Sequence, residues 1–173
     1  MHALSILLGT GLLAAASAAA AGSLTVVFVQ PENYTDAAYA RSFAGERERA
    51  EVMRDVERHL QRLAESKLPA GDALKLEVLD IDLAGSFEPV RFRPGDNMRM
   101  VRDVSGPRIK LRYTWSRGDQ VVAGAEEHLS DINFLRLPQR YFSDDRLRYE
   151  KVMLDDWFDR RFVKPTPAAT ASQ

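Results

Sequence analysis

The chain has no cysteine and only three histidines among its 173 residues. Without cysteine there are no thiol nucleophiles, no thiolate metal sites and no disulfides. With only His59 and His128 left beyond the apolar N-terminus, the histidine-rich ligand sets of catalytic zinc cannot be assembled. The nucleophile elbow G-x-S-x-G, S-x-x-K, the P-loop, G-x-G-x-x-G and H-E-x-x-H are also missing, so no cofactor is implied. Charge of one sign is not in excess: 24 basic against 25 acidic residues give a net charge of -1. That balance argues against a dedicated nucleic-acid binder, whose footprint is strongly positive. No internal repeat is visible. What is present, 45% hydrophobic and 28% charged residues, describes one globular domain stabilised by packing alone.

Only the N-terminus carries a long apolar run. Residues 1–21 contain no Lys, Arg, Asp or Glu, are apolar from Ala3 onward and end in small residues with A-x-A cuts after Ala20 or Ala21. This pattern predicts a secretory signal peptide, although its start carries only His2 where Lys or Arg is usual. An uncleaved anchor is the alternative, but alanine contributes little insertion energy, so cleavage is favoured. No cysteine near the cut is available for lipidation. The expectation is a periplasmic or secreted protein with no membrane span after cleavage.

From Gly22 the chain reads as a single domain to residue 163, with a polar, Pro-containing tail from 164 to 173 that lacks large apolar residues and is expected to be disordered. Leu24 to Gln30 is apolar on both alternating faces and reads as a buried strand stopped by Pro31. Over Gly45 to Lys67 the apolar residues Val52, Val56, Leu60 and Leu63 recur at helical spacing, with Glu51–Arg54 and Asp55–Arg58 as i,i+3 pairs. Ala73 to Leu83 alternates but changes phase near Val78 and Leu79, which predicts a β-bulge. Gly85 to Pro107 reads as a long loop with a short strand near Met98 to Val101. Arg108 to Trp115 alternates cleanly and turns through Ser116 to Asp119 into a partner strand ending near Ser130, a hairpin with one wet face. A last helix is expected from an N-cap at Ser143 or Asp144 to Val163, with Leu147, Leu154, Trp157, Phe158 and Phe162 as its apolar stripe and Asp155 and Asp156 outside. The fold class is α+β: a small mixed four-stranded sheet, its first two strands parallel, with two amphipathic helices on one face, in the order β-α-β-β-β-α.

Five phrases carry a family likeness: VVFVQPENYTD at 26–36, LEVLDIDLAGSFEP at 76–89, RDVSGPRIKLRY at 102–113, LSDINFL at 129–135 and LRYEKVMLDDWF at 147–158. Together they resemble an uncharacterised family of proteobacterial exported proteins, a domain of unknown function. The resemblance implies export and a single domain; it brings no activity and no site residues.

Two constellations could carry chemistry. Asp80 and Asp82, two apart on a strand, share a face about 7 Å apart, and with His128 or Asp131 from the hairpin they could hold a hard cation. The plainer alternative is solvation or pairing with cations across the sheet. Arg91, Arg93, Arg99, Arg102, Arg108, Lys110 and Arg112 stand against only Asp96 and Asp103 over residues 91–112. Guanidinium forks suit phosphate and carboxylate, so this stretch could take an anionic envelope ligand or an acidic protein partner. Its alternative is internal neutralisation by Glu77, Asp80, Asp82, Glu126, Glu127 and Asp131 on flanking strands. Ser130, Asp131 and Asn133 read as turn chemistry. The function expected is an exported, non-catalytic binding or assembly module using the Arg-rich loop, with a metal-assisted hydrolase built on the acidic strand pair as the alternative.

Overall fold

A computed structural model describes residues 22–39, 45–89, 97–136 and 144–164. Residues 1–21, read as a signal peptide, residues 165–173 of the expected tail and the cations Arg91 and Arg93 therefore lie outside the described residues. The architecture is α+β, a four-stranded mixed sheet with two helices, as the alternation patterns imply. Strand β1 (Ser23–Phe28) leads through a 3-10 turn (Pro31–Asn33) to helix α1 (Gly45–Lys67) and strand β2 (Asp72–Asp82). Strands β3 (Ser86–Pro89), β4 (Asn97–Met100), β5 (Arg108–Arg117) and β6 (Gln120–Ser130) follow, and helix α2 (Arg148–Phe158) closes the order, running into a wider π turn (Asp159–Val163).

The main sheet has the order β1-β2-β5-β6, with β1 parallel to β2 and the other neighbours antiparallel. The phase change read in β2 is a bulge: the pairing with β5 shifts register between Val78 and Asp80. Leu74, Leu76 and Val78 bury their side chains before it, and Ile81 and Leu83 do so after it, so the extra residue keeps the apolar set on the core side. Against this face lie Val52, Val56, Leu60 and Leu63 of α1 and Leu154, Trp157 and Phe158 of α2. Each fully buried large side chain contributes about 1.5–3 kcal/mol. Tyr113, Trp115, Trp157, Phe158 and Phe162 meet edge to face at one end of this core, with ring centroids 4.9–6.3 Å apart.

Five local expectations are corrected. β1 is not buried on both faces: it is an edge strand that alternates, with Leu24, Val26 and Phe28 on the core and Val27 outward. An apolar run alone does not separate a central strand from an edge one. The stretch from Gly85 to Pro107 holds two strands, β3 and β4, paired antiparallel as a separate small sheet. Helix α2 starts at Arg148; Asp145 precedes it, accepting the Leu147 N–H at 2.9 Å, and Ser143 lies outside the described residues. Asp155 is not on the outer face but buried, and its Oδ1 lies 2.9 Å from His59 Nε2 between the two helices. In α1, Asp55 pairs with Arg58 at 3.1 Å, whereas Glu51 pairs back to Arg47 at 3.4 Å.

Candidate functional site

The residues singled out in the sequence separate into groups. On the open face of the sheet, Arg112 bonds Glu77 at 3.2 Å and Glu126 at 2.8 Å, Lys110 bonds Glu126 at 2.8 Å, and Arg108 reaches Asp82 at 3.2 Å. Arg102 grips Glu88 through two bonds, at 2.7 and 2.8 Å. These guanidinium partners hold Glu88 below the ordinary carboxylate range; Lys75 first and then Arg112 do the same for Glu77, and Lys110 first and then Arg112 for Glu126. Cross-strand neutralisation is thus what Arg102, Arg108 and Arg112 do in the fold.

Asp80, Asp82 and His128 line one hollow of about 390 Å³, while Asp131 faces a different one. Asp80 accepts the Thr35 N–H and hydroxyl, both at 2.7 Å, and Arg108 and Lys110 line the same hollow. Burial foremost, with Asp36 and Asp80 nearby, pushes the Asp82 carboxyl up against the pull of Arg108. Among the described residues no three acidic or histidine side chains gather closely enough to hold a metal ion. Asp131 instead accepts the Asn133 N–H at 2.8 Å, the turn chemistry expected of this segment.

Arg99 has a different setting. Its Nη2 donates to both Asp36 oxygens at 2.8 Å and to Ala38 O at 2.7 Å, and Nη1 donates to Ala84 O and Gly85 O at 3.2 Å. The guanidinium carbon lies 4.4 Å from the centre of the Phe87 ring, and Nε is buried with no partner. Gly85, at φ +90°, makes this approach possible: a Cβ there would stand 2.8 Å from Met100 O. One arginine thereby ties the β3–β4 sheet to the loop after β1.

Beside Arg99 opens a cleft of about 380 Å³ lined by Tyr39, Glu48, Ala84, Arg99, Val101, Arg146, Arg148 and Tyr149. Arg146 lies over Tyr39 at 4.8 Å and Arg148 over Tyr149 at 4.5 Å. Arg146 and Arg148 are thereby held against aromatic rings, with Arg148 Nη2 also donating to the Tyr149 hydroxyl at 3.0 Å, whereas the N–H groups of Arg99 are spent on Asp36, Ala38, Ala84 and Gly85. Tyr39 in turn donates to Asp55 at 3.1 Å, and burial pushes its hydroxyl up. Behind the Ala84 wall, Glu150 of α2 is buried; its Oε1 accepts the Ala84 N–H at 2.7 Å and its Oε2 has no partner. Burial raises this carboxyl above the ordinary range, against the opposing pull of the Ala84 N–H and Arg99.

Of the six arginines expected to bind a ligand, Arg99 alone of those described lines the cleft; Arg146, Arg148 and Tyr39 were not foreseen. A signal for the pair existed: Arg146 and Arg148 sit at the start of α2, where the helix dipole favours acids. Cations there run against that preference.

A family model covers residues 22–160, all six strands and every residue of the cleft. The chain belongs to the family described as protein of unknown function (DUF3016). Each of the five phrases noted in the sequence falls inside the DUF3016 match. Among curated proteins none matches the chain. Across the described residues no helix is long and apolar enough to cross a membrane.

Proposed function

We propose that this DUF3016 domain is an exported, non-catalytic binding module whose ligand is a small anion, a carboxylate or phosphate on a partly apolar body. The observation that carries the reading is the cleft in which Arg146 and Arg148 are each stacked on an aromatic ring, beside an Arg99 whose fork is held by Asp36 and backbone carbonyls. Its volume, about 380 Å³, lies within the range of small-molecule sites, and Val101 and Ala84 supply apolar wall. Among the described lining residues, Glu48 is the one carboxylate. The cations of the open sheet face support the reading less, because their charge already goes to Glu77, Asp82, Glu88 and Glu126. The hydrolase alternative has little support, since Asp80 is bonded by Thr35 and two cations line its hollow. Export rests on the leader read from residues 1–21.

The test is a thermal-shift screen with sulfate, phosphate, citrate, sugar phosphates and nucleotides. A ligand at a hundred times its Kd adds about 2.7 kcal/mol, a rise of about 5–10 °C for a domain of this size. Arg146→Glu combined with Arg148→Glu abolishes the shift, whereas Arg102→Glu and Arg112→Glu leave it in place. Silence across the panel, or the reverse pattern of variants, overturns the assignment. For export, cell fractionation should find a shortened product in the envelope fraction, and a full-length cytoplasmic chain contradicts it.

A further inference from the structure

We propose that the ligand of this cleft is zwitterionic, with its acid group on the Arg148 side and an ammonium group on the far side of Tyr39 and Arg146. The inference rests on the binding reading above and adds the ligand's second charge to it.

The cleft does not end at Arg146. A second hollow, of about 520 Å³, adjoins it, with Tyr39 and Arg146 in the wall of both. Its other charged lining residues are Glu51, Asp55, Asp144 and Asp145 against Arg58 and Lys151. The two hollows therefore differ in sign. Apart from the shared Arg146, this one holds four carboxylates against two cations, while the first balances Glu48 against Arg148, since Asp36 holds Arg99. Arg146 carries its charge along the seam, its guanidinium 4.8 Å from the centre of the Tyr39 ring. An anion set against Arg146 and Arg148 thus meets an excess of carboxylate across the seam. A simple anion is repelled by that excess, whereas a ligand with a cation at its other end is attracted by it.

The pairing inside the second hollow shows which acids meet the ammonium. Arg58 takes Asp55 at 3.1 Å and Lys151 takes Asp145, so the carboxylates left without a lining cation are Glu51 and Asp144. Glu51 pairs with Arg47 at 3.4 Å, but the Arg47 side chain is 82% exposed, and a pair of that kind is weak enough to yield to a better-placed cation. Glu51 comes from α1 and Asp144 from the segment before α2, so the two line one hollow from different parts of the chain. A primary ammonium, with three donors to distribute, suits acceptors placed in this way. Among the described residues no three acids gather closely enough for a metal ion, so the cation these acids suit is a larger, organic one.

The experiment compares matched ligands by calorimetry at low salt, where charge is least screened. β-Alanine, γ-aminobutyrate and ε-aminocaproate are set against propionate, butyrate and caproate, and phosphoethanolamine against ethyl phosphate. The series varies the distance between the two charges, and the member that spans the seam should bind about tenfold more tightly than its plain acid, the scale of one hydrogen bond to a charged partner. Glu51→Gln combined with Asp144→Asn should erase that preference, and the plain acid should bind the variant more tightly than it binds wild type. The wild-type comparison needs no variant, so it stands even where the double substitution disturbs folding. Plain acids that bind as well as every amino acid of the series, or a preference that persists in the variant, overturn the zwitterion and leave the anion site standing. Absence of binding by every member overturns the site itself.

Discussion

Asp72 shows how much one side chain can organise. It opens β2, is buried, and accepts Trp115 Nε1 at 2.9 Å together with Arg117 Nε at 2.7 Å and Nη2 at 3.0 Å. The Arg117 bond, then the indole bond, hold its carboxyl below the ordinary carboxylate range against the cost of burial. Asp72→Ala leaves the indole N–H of Trp115 without its acceptor, so the expected loss is about 1 kcal/mol, read by differential scanning calorimetry as a fall of about 2–4 °C in Tm. Because the folded carboxyl is more acidic than the unfolded one, the wild-type advantage is present above the ordinary aspartate range and fades as pH falls below it. At pH 2–3 the difference should therefore shrink to what the indole bond alone contributes; an undiminished difference there contradicts the assigned ionic partner.

Among the elements, β3 and β4 form a sheet of their own, and their hold on the rest of the molecule runs through Arg99. The guanidinium is mostly buried, and its fork meets a carboxylate and three carbonyls at once. Lysine cannot reproduce a planar fork. Arg99→Lys should therefore loosen this small sheet by about 2–4 kcal/mol, the scale of breaking a buried pair. Hydrogen exchange followed by mass spectrometry would read it: amides of Ser86–Glu88 and Arg99–Val101 exchange faster while those of β2 and β5 keep their protection. Equal acceleration in both sheets means that Arg99 supports the whole fold. The contact between α1 and α2 is of another kind, with buried His59 and Asp155 set among apolar side chains. It lies 96 positions apart in sequence, which is why Asp155 reads as an outer-face residue from the helical pattern alone.

For the whole molecule, the open sheet face is a ladder of exposed ion pairs covering a core held by apolar packing. Exposed pairs are screened by salt and contribute little each. Raising sodium chloride from 0.05 to 0.5 M should shift Tm by no more than a few degrees, and a collapse in stability would show that the ladder carries the fold. The lowered carboxyls of Glu77, Glu88 and Glu126 add stability that is present above the ordinary glutamate range and lost in acid. Acid unfolding followed by circular dichroism should accordingly begin below about pH 4.

The periodicities of Val52 to Leu63, of Leu74 to Leu83 and of Ile109 to Trp115 fixed the two main element types, the bulge and the α+β class, because apolar spacing records which face of an element is buried. The local cation excess over residues 91–112 was legible too, but its meaning was not: whether Arg112 meets a ligand or Glu126 depends on which strand lies beside it. Only the tertiary structure made β1 an edge, paired β3 with β4, buried Asp155 against His59 and set Arg146 and Arg148 around a cleft with Arg99. Those outcomes depend on contacts between residues far apart in the chain, and a pattern read along one segment carries no information about what another segment brings to face it.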